Sequence, residues 1–135
     1  MSNTIPLAKA EEGLKAIFDV AAKDGKPPIA VAIVDRHGDL IHFARMDGAP
    51  VRSSLLAPNK AYTAAAFQQP TEELAGLSQQ SWFTSLITST QGKIMAVGGG
   101  VPVREPVGVI GAVGVSGGTP EQDQECCQAA SAALG

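Results

Sequence analysis

Six consecutive apolar residues, Ile29-Ala30-Val31-Ala32-Ile33-Val34, constrain the fold more than any other stretch of this chain. A strand with one face in water alternates apolar and polar side chains, whereas a strand apolar at every position is buried on both faces. Pro27 and Pro28 stop a helix from running into it. Asp35-Arg36-His37-Gly38 supplies a turn, with Gly38 free to take a positive φ, and Asp39 to Met46 returns as a second strand. The first committed unit is therefore a β-hairpin whose leading strand lies in the interior.

The flanking segments supply helices to cover it. Leu7, Ala10, Leu14, Ile17, Phe18 and Ala21 recur three and four apart, one face of a helix that stops near Asp24 and Gly25. A second helix runs through Leu55, Lys60, Ala64 and Phe67, capped by Ser53 or Ser54 and interrupted at Pro70, with Thr71-Glu72-Glu73 as a new start. From Leu77 to Gly92 the pattern is mixed and predicts a helical or irregular connection. Lys93 to Val97, Val101 to Arg104 and Val107 to Val115 read as three more strands. Thr119-Pro120-Glu121-Gln122 is a capping box with proline at the first helical position, opening a terminal helix to about Leu134. Hairpin-linked strands between helices predict an α/β domain with a mostly antiparallel sheet.

The chain has 135 residues, room for one core, so residues 1–135 form a single domain. Charged residues make up 17% and hydrophobic residues 44%, a globular balance far from that of disorder. The net charge of −3 and the scattered Lys and Arg residues exclude a nucleic-acid footprint. No stretch has the roughly 18 unbroken apolar residues of a membrane span, and the first residues lack a basic region followed by an apolar run. The expected location is the cytoplasm. The cysteines, Cys126 and Cys127, are adjacent, so they cannot easily bridge each other and lack the spacing of a zinc knuckle; they are expected to pack a helix, with no metal site.

Several segments together resemble one family: the first helix, Ala30 to Gly38, Arg45-Met46-Asp47-Gly48-Ala49, Lys60-Ala61-Tyr62-Thr63-Ala64, Gly99-Gly100-Val101-Pro102, Gly108 to Gly118, and Asp123 beyond. In order and extent they are similar to the GlcG/HbpS family, the heme-degrading domain also found as the C-terminal part of PduO-type proteins. The resemblance implies a profilin-like α/β/α sandwich around a five-stranded, mostly antiparallel sheet, assembled as a homo-oligomer. It also implies a small-molecule ligand, with heme or a related planar cofactor foremost. The chain departs from the family pattern at Arg104-Glu105-Pro106-Val107, where many members carry an Asp-Gly turn.

Candidate site residues follow from chemistry. Gly98-Gly99-Gly100 and the series Gly108, Gly111, Gly114, Gly117 weaken strands unless a backbone or ligand must come close. Gly99, Gly100, Ser116, Gly117 and Gly118 are thus expected to wall a pocket, with N–H groups at the start of the last helix facing Lys60 and an acidic ligand. Close packing of helices or subunits is the competing explanation. Gly114-Val115-Ser116-Gly117-Gly118 fits the G-x-S-x-G nucleophile pattern, but no histidine follows Ser116, which removes a serine hydrolase. His37 and His42 are the chain's two imidazoles and hence its candidate axial ligands for heme iron. The alternative function is a small cofactor-independent enzyme of the lyase, isomerase or hydratase type. There Lys60 and Glu105 would move protons, and Arg45 would bind an organic acid or ring-containing catabolite.

Overall fold

The computed structural model describes residues 4–23 and 25–134, so the expected helix stop at Asp24 lies outside the described residues. In chain order the elements are α1 (Leu7–Lys23), β1 (Ala30–Asp35), β2 (Leu40–Arg45) and α2 (Ser53–Phe67). A 3₁₀ helix (Thr71–Gln79), α3 (Ser81–Ser89), β3 (Gly100–Glu105), β4 (Gly108–Ser116) and α4 (Pro120–Leu134) complete the chain. The strands form one sheet in the order β2-β1-β4-β3, and every neighbouring pair is antiparallel.

The two faces of β1 explain its unbroken apolar run. Val31 and Ile33 point into a core shared with Leu14 and Ile17 of α1, Val113 and Val115 of β4, and Cys127 and Leu134 of α4. Ala30, Ala32 and Val34 point the other way, onto Ala57, Ala61, Ala64 and Ala65 of α2. Large side chains thus meet two helices on one face, and small ones let a single helix approach closely on the other. The approach is tightest at Gly114, where a Cβ would lie 2.0 Å from the Ala57 carbonyl oxygen. The result is the α/β/α sandwich that the family resemblance implies.

Among the described residues the sheet has four strands, not five. The segment expected as a strand at Lys93 to Val97 runs without a ladder partner, and side chains of α2 and of the loop before it bond three of its backbone groups. Thr63 Oγ1 donates to the Lys93 carbonyl and accepts the Met95 N–H, and Thr90 Oγ1 accepts the Ile94 N–H. The α2 start also differs from expectation: Arg52 occupies the cap position without a side-chain cap bond, and Ser53 Oγ donates backward to the Pro50 carbonyl. The final capping box forms as expected, Gln122 N–H donating to Thr119 Oγ1 and Thr119 N–H to Gln122 Oε1.

The outer edge of β3 is occupied by side chains. Gly100 donates its N–H to Thr71 Oγ1, and its carbonyl accepts from Gln124 Nε2. Pro102 has no N–H to offer, and its carbonyl accepts from Ser131 Oγ. At the other edge of the sheet, β2 is half-buried and pairs only with β1.

Candidate functional site

Lys60 is the least expected residue of the interior. Ala57, Lys60, Ala61 and Ala64 share the sheet-facing side of α2 by their spacing, which carries the lysine stem into the core. Its side chain is 3% exposed, and a buried ammonium is costly unless paired and hydrogen-bonded. Both conditions are met. Nζ donates to Asp123 Oδ2 at 3.0 Å, a carboxylate equally buried, and to the Val115 carbonyl at 3.1 Å. Asp123 Oδ1 in turn accepts the Gly118 N–H at 3.0 Å.

The glycine run makes room for this pair. A Cβ on Gly99 would lie 2.7 Å from Lys60 Nζ, and one on Gly100 would lie 2.5 Å from the Lys60 carbonyl. Gly99 donates its N–H to Gln124 Oε1, so α4 clamps the strand entry from the opposite side. Gly117, at φ 140°, abuts the backbone of Pro28 and Ile29. A side chain at 117 would therefore meet the start of β1 and not a ligand.

A cavity of about 270 Å³ opens beside the pair. Leu56, Met95, Val97 and Pro120 give it apolar walls, Ser116, Gly117 and Gly118 form one side, and exposed Arg52 also lines it. The expected grouping of Lys60, Ser116, Gly117 and Gly118 is thus present, and Asp123, Arg52 and Met95 join it. The expected free anion cradle is not: the Gly118 and Thr119 N–H groups and the Lys60 ammonium already have carboxylate, amide or carbonyl partners. Gly99 and Gly100 stand behind Lys60 and do not line the cavity.

The remaining candidates lie elsewhere. Arg45 and Ser116 both pair with Ala30, which puts Arg45 in the same cross-strand row, about 10 Å away at two strand spacings, exposed at the end of β2. Glu105 ends β3 at the opposite end of the sheet, paired with Gly108 across the turn and exposed. Lys60 and Glu105 therefore do not share a site. His42 pairs with Ile33 on β2 and is half-buried. His37 sits in the β1–β2 turn, its backbone N–H held by Asp35 Oδ1. With Arg36, Gln68, Val107, Gly108 and Val109 it lines a groove of about 550 Å³ at the Glu105 end of the sheet.

Asp123 is the functional-looking residue that residue-by-residue reading passed over. Its signal was indirect: a lysine at a buried helical position needs a carboxylate. Among the described residues no cluster of three or more His, Cys, Asp or Glu side chains could hold a metal ion. No helix among them is long and apolar enough to cross a membrane.

Residues 5–132 match the family model of the haem degrading protein HbpS-like group. The chain belongs to the HbpS-like family. This HbpS-like chain is 40% identical, over 122 residues, to an uncharacterized 15.0 kDa protein of Citrobacter freundii encoded in the dhaT-dhaS intergenic region, covering 90% of this chain and 85% of that one. It is 37% identical over 135 residues to the corrinoid adenosyltransferase PduO of Salmonella typhimurium, covering 97% of this chain and 40% of that enzyme. The HbpS-like chain thus spans well under half of PduO. A crystal structure of a PduOC:heme complex superposes with a TM-score of 0.88 at 35% identity, covering 97% of this chain and 95% of that chain.

Proposed function

We propose that this chain binds heme or a related planar tetrapyrrole. The observation that carries the reading is its likeness, over nearly its full length, to a domain solved as a heme complex. A site for it at the His37 groove is supported by that groove's size and by the donors on its lining. Its volume of about 550 Å³ falls within the roughly 300–1,000 Å³ of small-molecule sites, whereas the Lys60 cavity, about 270 Å³, falls below it. His37 offers an imidazole, Arg36 a guanidinium suited to a propionate, and Gly108, with nothing within 4 Å of where a Cβ would lie, leaves space beside them. His42 faces the α1 side of the sheet by register with Ile33 and is the second candidate ligand. Bound heme would supply redox-active iron. His37 would hold the iron through an imidazole nitrogen, and Arg36 would pair with the carboxylates.

Titrating the purified protein with hemin tests this. A Soret band saturating at a fixed ratio is expected, and His37→Ala should shift its position or weaken binding, while His42→Ala leaves it unchanged. Failure to saturate overturns heme binding. A band identical in both variants overturns histidine ligation.

A further inference from the structure

We infer that Lys60 is a carbonyl-condensing residue: its amine forms an imine with a short-chain aldehyde held in the cavity between α2 and the start of α4. The inference is independent of heme, which concerns the opposite end of the sheet.

Three features of the site meet the needs of that reaction. The first is a proton carrier. An ordinary lysine, with a pKa of about 10.4, is amine in well under about one part in a thousand at neutral pH, and a paired carboxylate favours the ammonium further, so condensation needs a group that moves protons between the amine and the carbonyl oxygen. Asp123 Oδ2 lies 3.0 Å from Nζ, with its other oxygen fixed by the Gly118 N–H. It can take a proton from Lys60 without either group leaving its place. The second is burial of the reacting groups themselves, which limits the water that would hydrolyse an imine. Lys60 and Asp123 are each 3% exposed, and Leu56, Met95, Val97 and Pro120 line the cavity beside them. The third is room. The cavity, about 270 Å³, is roughly nine water volumes, enough for a small aldehyde and its alkyl tail but not for a macrocycle.

The step balances without a further reagent. Lys60 passes a proton to Asp123, and the free amine attacks the aldehyde carbon to give a carbinolamine. The proton held by Asp123 goes to the carbinolamine oxygen, the C–O bond breaks, water leaves, and a C=N bond to Nζ remains. Ser116 also lines the cavity. Because Asp123 already neutralises Lys60, a neutral carbonyl compound can be held without displacing the pair, and Arg52, exposed on the same lining, offers a cation to a polar tail.

The test incubates the native protein with butanal and sodium cyanoborohydride and follows N-butylation of each lysine by peptide mass mapping over time. A merely structural, buried and ion-paired Lys60 would be among the slowest lysines to react. The proposal requires the reverse: Lys60 labelled about tenfold or more faster than exposed Lys15 and Lys93, what remains of the roughly 10²–10⁴-fold from a positioned acid–base group after burial slows access. Asp123→Asn should slow Lys60 labelling and leave Lys15 unaffected. Should that variant not fold, Val97→Trp, at a partly exposed position lining the cavity, should block Lys60 alone. Labelling of wild-type Lys60 no faster than that of Lys15 overturns the proposal, as does unchanged Lys60 labelling in folded Val97→Trp.

Discussion

Replacing Lys60 by Met keeps most of the stem volume and deletes the charge, which isolates the worth of the buried pair. In the native protein Asp123 accepts from Lys60 Nζ and from the Gly118 N–H, each at 3.0 Å, with both charged side chains 3% exposed. Removing the ammonium leaves a carboxylate in the interior with one neutral donor. Breaking a buried pair in this way costs about 3–5 kcal/mol, a large part of the roughly 5–15 kcal/mol that holds such a domain together. For a chain of 135 residues the melting temperature should fall by about 10–18 °C. Asp123→Asn in the same chain keeps an acceptor for Gly118 and removes the stranded charge. The double variant Lys60→Met/Asp123→Asn should therefore be about 2 kcal/mol more stable than Lys60→Met alone. Urea unfolding of the four proteins gives the coupling directly. A Lys60→Met loss below about 1 kcal/mol, or effects additive within about 0.5 kcal/mol, would refute the placement of a compensated charge pair in the core.

Gly114→Val should destabilise by about 3 kcal/mol or prevent folding, since its Cβ would meet the Ala57 carbonyl at 2.0 Å; near-native urea stability would contradict the close approach of α2. Burial, chiefly, and then the neighbouring Cys126, pushes the Cys127 thiol well above its ordinary value of 9.0. The folded thiol therefore stays protonated where the unfolded one ionises, so its contribution to stability is full below about pH 9 and falls above it by about 1.4 kcal/mol per pH unit. Cys127→Ala should flatten that alkaline slope, and an unchanged slope counts against burial as the cause. The chain is expected to self-associate, and a monomer by light scattering at micromolar concentration would contradict this.

The hairpin, α1 and the join from β4 into α4 could be read from the sequence because each is set by local rules: an apolar run between turn residues, a helical period, a capping box. The missing fifth strand could not. Lys93 to Val97 looks like a strand by composition, but its backbone bonds go to Thr63 and Thr90, the former some thirty residues earlier in sequence and so invisible to local pattern. The glycine run left two readings open, a ligand wall and close packing, and local pattern could not choose between them. Gly99 and Gly100 yield to the stem and backbone of Lys60, and only the folded chain brings residues that far apart together. Lys60 itself carried a usable clue, since its spacing from Ala57, Ala61 and Ala64 puts it on the buried side of α2. That placement alone demands an acid, and Asp123 supplies it.

The side chains on the outer edge of β3 also decide how copies of this chain could grow into larger objects. With Thr71, Gln124 and Ser131 bonded along that edge and Pro102 lacking a donor, a strand from outside finds few open backbone groups there. Only β2 remains as a terminus to which the sheet could be extended. Two chains joined antiparallel through β2 would form a continuous eight-stranded sheet with a blocked edge at either end, so growth by strand addition stops at two. Any larger ring must be built through the helical layers, and the sheet itself carries no route to a fibre.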